Sequence, residues 1–347
     1  MDFGKGVGNF FALDIGTTAV RVVELDHSGH GWNLAHYGVK PVDIRLSEST
    51  AAHDVQALSQ AIQDVITAAG IKTRNVAIGV PSDKTFASVV EVPNVSKAEL
   101  NATIKYQAEN YVPMKVDESK IDWAIIGESP VDRSKVEVLV SSVLNSFTEA
   151  RLDLLEAIGL NVVAIEPDSL ALTRSLLPDG VADGRLIIDM GDNATDIVLT
   201  LGTAPRLIRS IPIGFLTLLR MAKQNLNIDE QQARQILLKF GVSKDKLEGQ
   251  VARAVSTSLE QFNNEVQKSL KFFTSKYTSS SVGSVLVSGY SATLPGLADG
   301  IASRLGLSVQ IATPWQHVNV PAEMQPGLAP VSSCLAVAVG LAERLGV

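Results

Sequence analysis

Two short stretches of this chain carry the residue types that can hold a metal-bound polyphosphate. One runs Asp14-Ile15-Gly16-Thr17-Thr18; the other, much later, runs Asp189-Met190-Gly191-Asp192-Asn193. A nucleoside triphosphate brings about four negative charges and usually travels with Mg²⁺. Asp14 and Asp189 would repel the phosphates unless a cation lay between, so their natural task is to hold hydrated Mg²⁺. The consecutive backbone N–H groups of a tight turn form a concavity suited to phosphate oxygens. Gly16 and Gly191 allow a close main-chain approach and are expected to supply positive φ there. Thr17, Thr18, Asn193 and Thr195 add hydroxyl or amide donors, and Arg21 offers a compensating positive charge.

The elements that must position these groups repeat within the chain. Residues 11–25 overlay residues 186–200, so that Asp14 meets Asp189, Gly16 meets Gly191, Ala19 meets Ala194 and Val23 meets Val198. Each copy reads as strand, tight polar turn, strand, because β-branched runs flank glycine and short polar residues. Two copies of one hairpin, each opening a stretch of mixed strands and helices, predict two related α/β lobes. Residues 54–69 follow with helical spacing at Val55, Leu58, Ile62, Val65 and Ile66, and residues 75–80 read as a buried strand. The rhythm breaks between 82 and about 159. Strands are expected at 85–92 and 135–143, with a helix over 97–111 opened by a capping box of Ser96 and Glu99. This block reads as a small inserted α+β subdomain. In the second half, helices are expected over 229–240 and 257–277, the latter with an apolar stripe of Leu259, Phe262, Val266, Leu270 and Phe273. A strand at 284–288 leads through Gly289 and Pro295-Gly296 into a helix over 297–305. Residues 310–332 read as a surface crossing, and an apolar helix over 334–345 closes the chain.

Composition narrows the function classes. With 347 residues, two or more lobes are expected. Hydrophobic residues at 46% against 19% charged give a soluble, globular balance. The net charge of −7 and the lack of a basic run argue against a nucleic-acid partner. The single cysteine, Cys334, rules out a disulfide framework within the chain, fits a cytosolic setting, and reads as a buried spectator. The first eleven residues lack the apolar core of a signal peptide. The longest apolar stretch, 334–345, contains Glu343 and Arg344 and falls short of the ~20 residues a spanning helix needs. The five histidines are scattered without metal-ligand spacing, and no nucleophilic triad can be read.

In their order, these motifs resemble the actin, Hsp70 and sugar-kinase superfamily. Residues 14–21 resemble its first phosphate loop and 189–195 its second. Ile165-Glu166-Pro167 through Leu172 resembles the first connecting segment, residues 287–297 the adenosine loop, and 334–344 the closing helix. The inserted block decides the branch. Tyr106 to Met114, Ile121-Asp122-Trp123-Ala124, residues 136–143 and 149–160, and Arg209 to Gly214 are similar to the PilM family of type IV pilus assembly proteins. The cell-division relative FtsA shares the position of the insertion, but usually ends in a membrane-targeting helix that is not seen here.

The resemblance implies an actin-like fold with duplicated, ribonuclease H-like lobes. The first lobe would comprise 1–81, 164–185 and 334–347, the insertion 82–163, the second lobe core 186–210 and 278–333, and a mostly helical part 211–277. It also implies ATP and Mg²⁺ between the lobes, with Gly214, Gly289, Glu265 and Lys268 on the nucleoside side. Glu166 would orient water for hydrolysis. A carboxylate favoured by a helix N-terminus explains Glu166 equally well, and a solvated surface pair explains Glu265 and Lys268. The implied partner is the N-terminal tail of a PilN-like membrane protein, which would bring the chain to the inner membrane. Pilus motor ATPases and self-association are further expectations. Phe215 and Tyr290 stand where the family usually has glycine, and either narrow the pocket or stack on the base. Arg234 and Leu237 replace an acidic residue and a lysine. Two alternatives therefore stand beside the ATP-binding scaffold: an adaptor with a blocked site, and a small-molecule kinase on the same fold.

Overall fold

The computed structural model describes residues 9–28, 31–96, 98–100, 102 and 111–344. The duplication is visible in the two larger sheets. Strands β1 (Phe11–Ile15), β2 (Ala19–Ser28), β3 (Gly31–Pro41), β4 (Asn75–Val80) and β8 (Asn161–Pro167) form one in the order β3-β2-β1-β4-β8, with β14 (Val318–Asn319) beyond β3. Strands β9 (Gly184–Met190), β10 (Thr195–Leu201), β11 (Ala204–Ile211), β12 (Val282–Gly289) and β13 (Val309–Ile311) form the other in the same order, β11-β10-β9-β12-β13. In both, the first three strands are antiparallel and the last two run parallel to the first. A third sheet, β5-β7-β6, is built from β5 (Thr85–Pro93), β6 (Ser119–Glu128) and β7 (Lys135–Leu144).

Strand alternation explains where the chemistry points. In β1, Phe11, Leu13 and Ile15 join the core under the helix Ala52–Ala69, through Leu58, Ile62 and Val65. Ala12 and Asp14 therefore face the other way, toward the helix Ala336–Ala342, and Ala12 packs with Ala338, Val339 and Leu341. In β9, Leu186, Ile188 and Met190 join the core of the helix Ser256–Lys276, with Phe262, Val266 and Phe273. Ile187, of the same parity as Asp189, packs with Leu172, Leu176 and Ala336. The helices Asp168–Leu176 and Ala336–Ala342 thus fill the space between the sheets, and both key aspartates look into it. At their crossing, a Cβ added to Gly340 would run into the carbonyl of Ala171, so only glycine permits this approach.

The three-stranded sheet is chained to the first lobe yet clamped to the second. Glu137, in the middle of β7, is completely buried. Its carboxylate accepts from Arg206 Nη1 at 2.8 Å, Lys276 Nζ at 2.8 Å and Tyr277 OH at 2.7 Å. Arg206 Nη2 also donates to the carbonyl of Ile126 at 3.0 Å, so guanidinium and carboxylate lock the two sheets together. The expected capping box is present: Ser96 N–H donates to Glu99 Oε2 at 3.0 Å and Glu99 N–H to Ser96 Oγ at 3.3 Å. The helix it opens lies largely outside the described residues, as does much of the motif from Tyr106 to Met114.

Glu343 follows the last helix with 4% exposure, and among the described residues neither carboxylate oxygen has a hydrogen-bond partner. Burial pushes its pKa up to about 8, with the charge of Arg174 pulling the other way. The folded protein then holds a proton that the unfolded chain releases near the ordinary value of 4.5. Stability should therefore fall as pH rises from about 4.5 to about 8. Glu343→Gln should raise the melting temperature at pH 8 and flatten this slope, as thermal denaturation across that range would read.

Candidate functional site

The two polar turns have the same backbone hydrogen bond. Gly16 N–H donates to the carbonyl of Ala19 at 3.0 Å, and Gly191 N–H to that of Ala194 at 2.9 Å. They also face each other directly. Asn193 Nδ2 donates to Thr17 Oγ1 at 3.2 Å, and Thr18 Oγ1 donates to Asp192 Oδ2 at 2.7 Å. Between and behind them lies a cleft of about 410 Å³, into which Asp14, Asp168, Asp189, Asp192 and Asp196 all open together with Arg21.

The electrostatics are lopsided. Asp14 is raised above its ordinary pKa by burial, although its ion pair to Arg21 Nη1 at 3.0 Å pulls it down. Asp189 is pushed up to about 6, chiefly by burial, with the Ser288 hydroxyl and Arg21 opposing. Asp196 is pushed up to about 7 by burial, opposed by the hydroxyl of Ser82, which donates to its Oδ2 at 2.8 Å. Asp168 is raised well above the usual carboxylate range by burial and then by Asp14, Asp196 and Asp189, and its Oδ1 has no hydrogen-bond partner among the described residues. Buried carboxylates facing a single guanidinium favour protonation or a bound cation. Among the described residues no group of three or more His, Cys, Asp or Glu forms a ready-made metal cage. The donor set suits Mg²⁺, which keeps several waters and commonly takes one or two carboxylates plus phosphate oxygens. Asp14 and Asp189 are the residues that would hold it.

The residues expected from sequence divide into two groups. Asp14, Gly16, Thr17, Arg21, Asp189, Gly191, Asn193 and Gly289 line the cleft, and Thr18 spans it through Asp192. Thr195 is fully buried and donates to the carbonyl of Ile213 at 2.6 Å. Gly214 supports the second turn from behind: the next two N–H groups, of Phe215 and Leu216, bond to the carbonyls of Gly191 and Asp192 at 3.0 and 2.9 Å. Glu265 pairs with Lys268 at 2.6 Å and Arg209 at 3.0 Å, away from the cleft, as the surface-pair reading has it. The positive φ expected at Gly16 and Gly191 is absent; Gly289 has it instead, at 59°, where the chain leaves β12. Cys334 is half-buried and lines the cleft, where a buried spectator was expected.

Glu166, expected from the resemblance to orient water, is outside the lining of the cleft. Its carboxylate accepts from Arg174 at 2.6 and 3.0 Å and from Arg344, and it does not line the cleft. Both oxygens are committed to pinning the two central helices. Glu166→Gln is therefore expected to lower thermal stability while leaving Mg-ATP affinity unchanged in calorimetry. The acid that does reach the cleft is Asp168, two residues on. Sequence reasoning also missed Asp192 and Asp196, although Asp192 lies inside the second turn and Asp196 overlays Arg21 of the first hairpin. In register, Asp196 stands opposite Asp189 as Arg21 stands opposite Asp14.

The family model described as type IV pilus assembly protein PilM matches residues 12–345. A solved structure described as a PilM-PilN type IV pilus biogenesis complex is similar with a TM-score of 0.83 and 23% identity, over 96% of this chain and 98% of that one. The ethanolamine utilization protein EutJ from Carboxydothermus hydrogenoformans gives 0.56 and 17%, over 98% and 90%. MreB5 of Spiroplasma citri, solved bound to AMPPNP, gives 0.55 and 12%, over 97% and 95%. These likenesses establish the actin-like fold. The chain belongs to the PilM family of type IV pilus assembly proteins.

Proposed function

We propose that this protein is an ATP-binding scaffold of type IV pilus assembly, working at the cytoplasmic side of the inner membrane. The observation that carries the reading is the meeting of two acidic turns, Asp14–Thr18 and Asp189–Asn193, across one cleft between duplicated lobes. Asp14 and Asp189 hold hydrated Mg²⁺, whose chemistry is to neutralise and orient the phosphate oxygens. The turn N–H groups and Arg21 take the remaining negative charge. The hydrogen bonds that now join the turns directly are the contacts a polyphosphate would replace, so ligand fixes the spacing of the lobes.

Turnover is slow or absent on this reading. Phosphoryl transfer to water needs a group that positions the nucleophile. Asp168, an acid that lines the cleft, is raised well above the usual carboxylate range by burial and by its acidic neighbours, which disfavours the charged form that would accept a proton. The chain therefore acts by conformation and docking.

The three-stranded sheet is the proposed docking element for the N-terminal tail of a PilN-like membrane protein. Membrane association comes through that partner; among the described residues no helix is long and apolar enough to cross a membrane. The stem of this sheet touches the cleft, because Ser82 donates to Asp196. The test is thermal denaturation and calorimetry with Mg-ATP, alone and with a peptide of the partner tail. Saturable, Mg²⁺-dependent stabilisation is expected; its absence would leave only the docking role.

A further inference from the structure

The cleft has two unlike ends. Beyond Ser82 it is strongly charged, with Glu48, Asp83, Lys84 and Arg151. Around Gly289 it is uncharged, lined by Tyr290, Leu238 and Thr293. A nucleoside attached to a polyphosphate at Asp14 and Asp189 must extend one way or the other. Base and sugar carry no charge, and the base offers a flat apolar face, so the second end is the one that suits them.

That end is already filled. The ring of Tyr290 lies parallel to Phe215, with centroids 4.2 Å apart and an interplanar angle of 11°. Phe215 is fully buried, and the Arg234 guanidinium sits 5.2 Å from its ring centre, so no ligand can reach it. The Tyr290 hydroxyl donates to Asp192 Oδ1 at 3.2 Å, while the other oxygen of Asp192 accepts from Thr18. The phenol is pushed up to about 12 by burial and by Asp192, and so remains a donor at any working pH. Tyr290 is thus pinned at its ring and at its tip. It reaches from the end of β12 to the second acidic turn, across the path a nucleoside would take.

We infer that Tyr290 sets what the cleft accepts: its ring occupies the place of the nucleoside, so the site selects a metal-bound polyphosphate and takes little from base or sugar. This rests on the polyphosphate reading of the cleft. Truncating Tyr290 takes one donor from Asp192 of the second acidic turn, a loss that Tyr290→Phe shares and so controls for, and it frees an apolar pocket. The nucleoside then gains contacts that the full-length side chain denies it.

The experiment compares Mg-ATP, Mg-GTP and magnesium with inorganic triphosphate by calorimetry, on the wild type, Tyr290→Ala, Tyr290→Ser and Tyr290→Phe. The wild type and Tyr290→Phe should bind all three within about threefold. The two truncated variants should prefer ATP over triphosphate by about tenfold or more, the scale of one base contact. Undiminished triphosphate binding shows that each variant is folded. A wild type that already prefers ATP tenfold, with the preference lost in Tyr290→Ala, would make the ring a stacking platform and overturn the inference. Equal ratios in all four proteins would overturn it as well. Should no ligand bind the wild type or any variant, the polyphosphate site itself is refuted, a separate outcome.

Discussion

Asp189→Ala should abolish the stabilisation of the protein by Mg-ATP while leaving the unliganded fold intact. At a ligand concentration a hundredfold above Kd, the wild type should gain about 2.7 kcal/mol from binding. Loss of the metal-holding carboxylate removes this entirely, because the polyphosphate would then face Asp14, Asp168, Asp192 and Asp196 without the cation that neutralises them, Arg21 already being paired with Asp14. The unliganded variant should be no less stable, since burial, with a smaller push from Asp14, already holds Asp189 above its ordinary pKa. Truncation deprives only the Ser288 hydroxyl of its acceptor. Differential scanning fluorimetry with and without Mg-ATP separates the two effects. Retained stabilisation in this variant would remove Asp189 from the site. Asp14→Ala is a less clean probe, because it also strands the buried guanidinium of Arg21.

The second large effect concerns the clamp between the sheets. Glu137→Ala leaves Arg206 and Lys276 without their shared carboxylate and Tyr277 without its acceptor. Breaking a buried pair by removing one partner costs about 3–5 kcal/mol, because the other charge is left desolvated. The variant should therefore show a large drop in melting temperature, and protease should cut preferentially in residues 85–144, the sheet that the clamp holds. A change of less than about 1 kcal/mol, the ordinary worth of an exposed pair, would show that the clamp is solvated and dispensable. Restoring an acceptor with Glu137→Gln should recover part of the loss, since the amide oxygen still accepts but carries no charge.

Much of this architecture was legible in sequence because its signals are local. The hairpins at Asp14 and Asp189 announce themselves through a few residues each, and strand alternation fixes which way those aspartates face. The apolar stripe of Phe262, Val266 and Phe273 likewise declares a helix and its buried side. The PilM resemblance supplied the order of the remaining parts. What stayed hidden depends on partners distant in the chain. Glu166 reads as a cleft residue until Arg174 and Arg344 arrive from the two central helices and claim both oxygens. Two residues later, the turn from β8 into the helix Asp168–Leu176 redirects the chain, and Asp168 enters the cleft instead. Thr195 has the right chemistry for phosphate but is consumed by the carbonyl of Ile213. The positive φ moved from the acidic turns to Gly289 because those turns close with ordinary backbone angles, while the corner after β12 does not. Glu137 gave no sequence signal at all: an acidic residue in a strand looks like a solvent-facing one until Arg206 and Lys276 are brought to it.

The crossing of Gly340 on Ala171 makes one stiff wedge of the two middle helices. Main chain rests on main chain there, and the Ser175 hydroxyl ties the pair again by donating to the carbonyl of Ala336 at 2.8 Å. Interiors this closely packed transmit strain, so a displacement at one sheet is handed on through the wedge to the other.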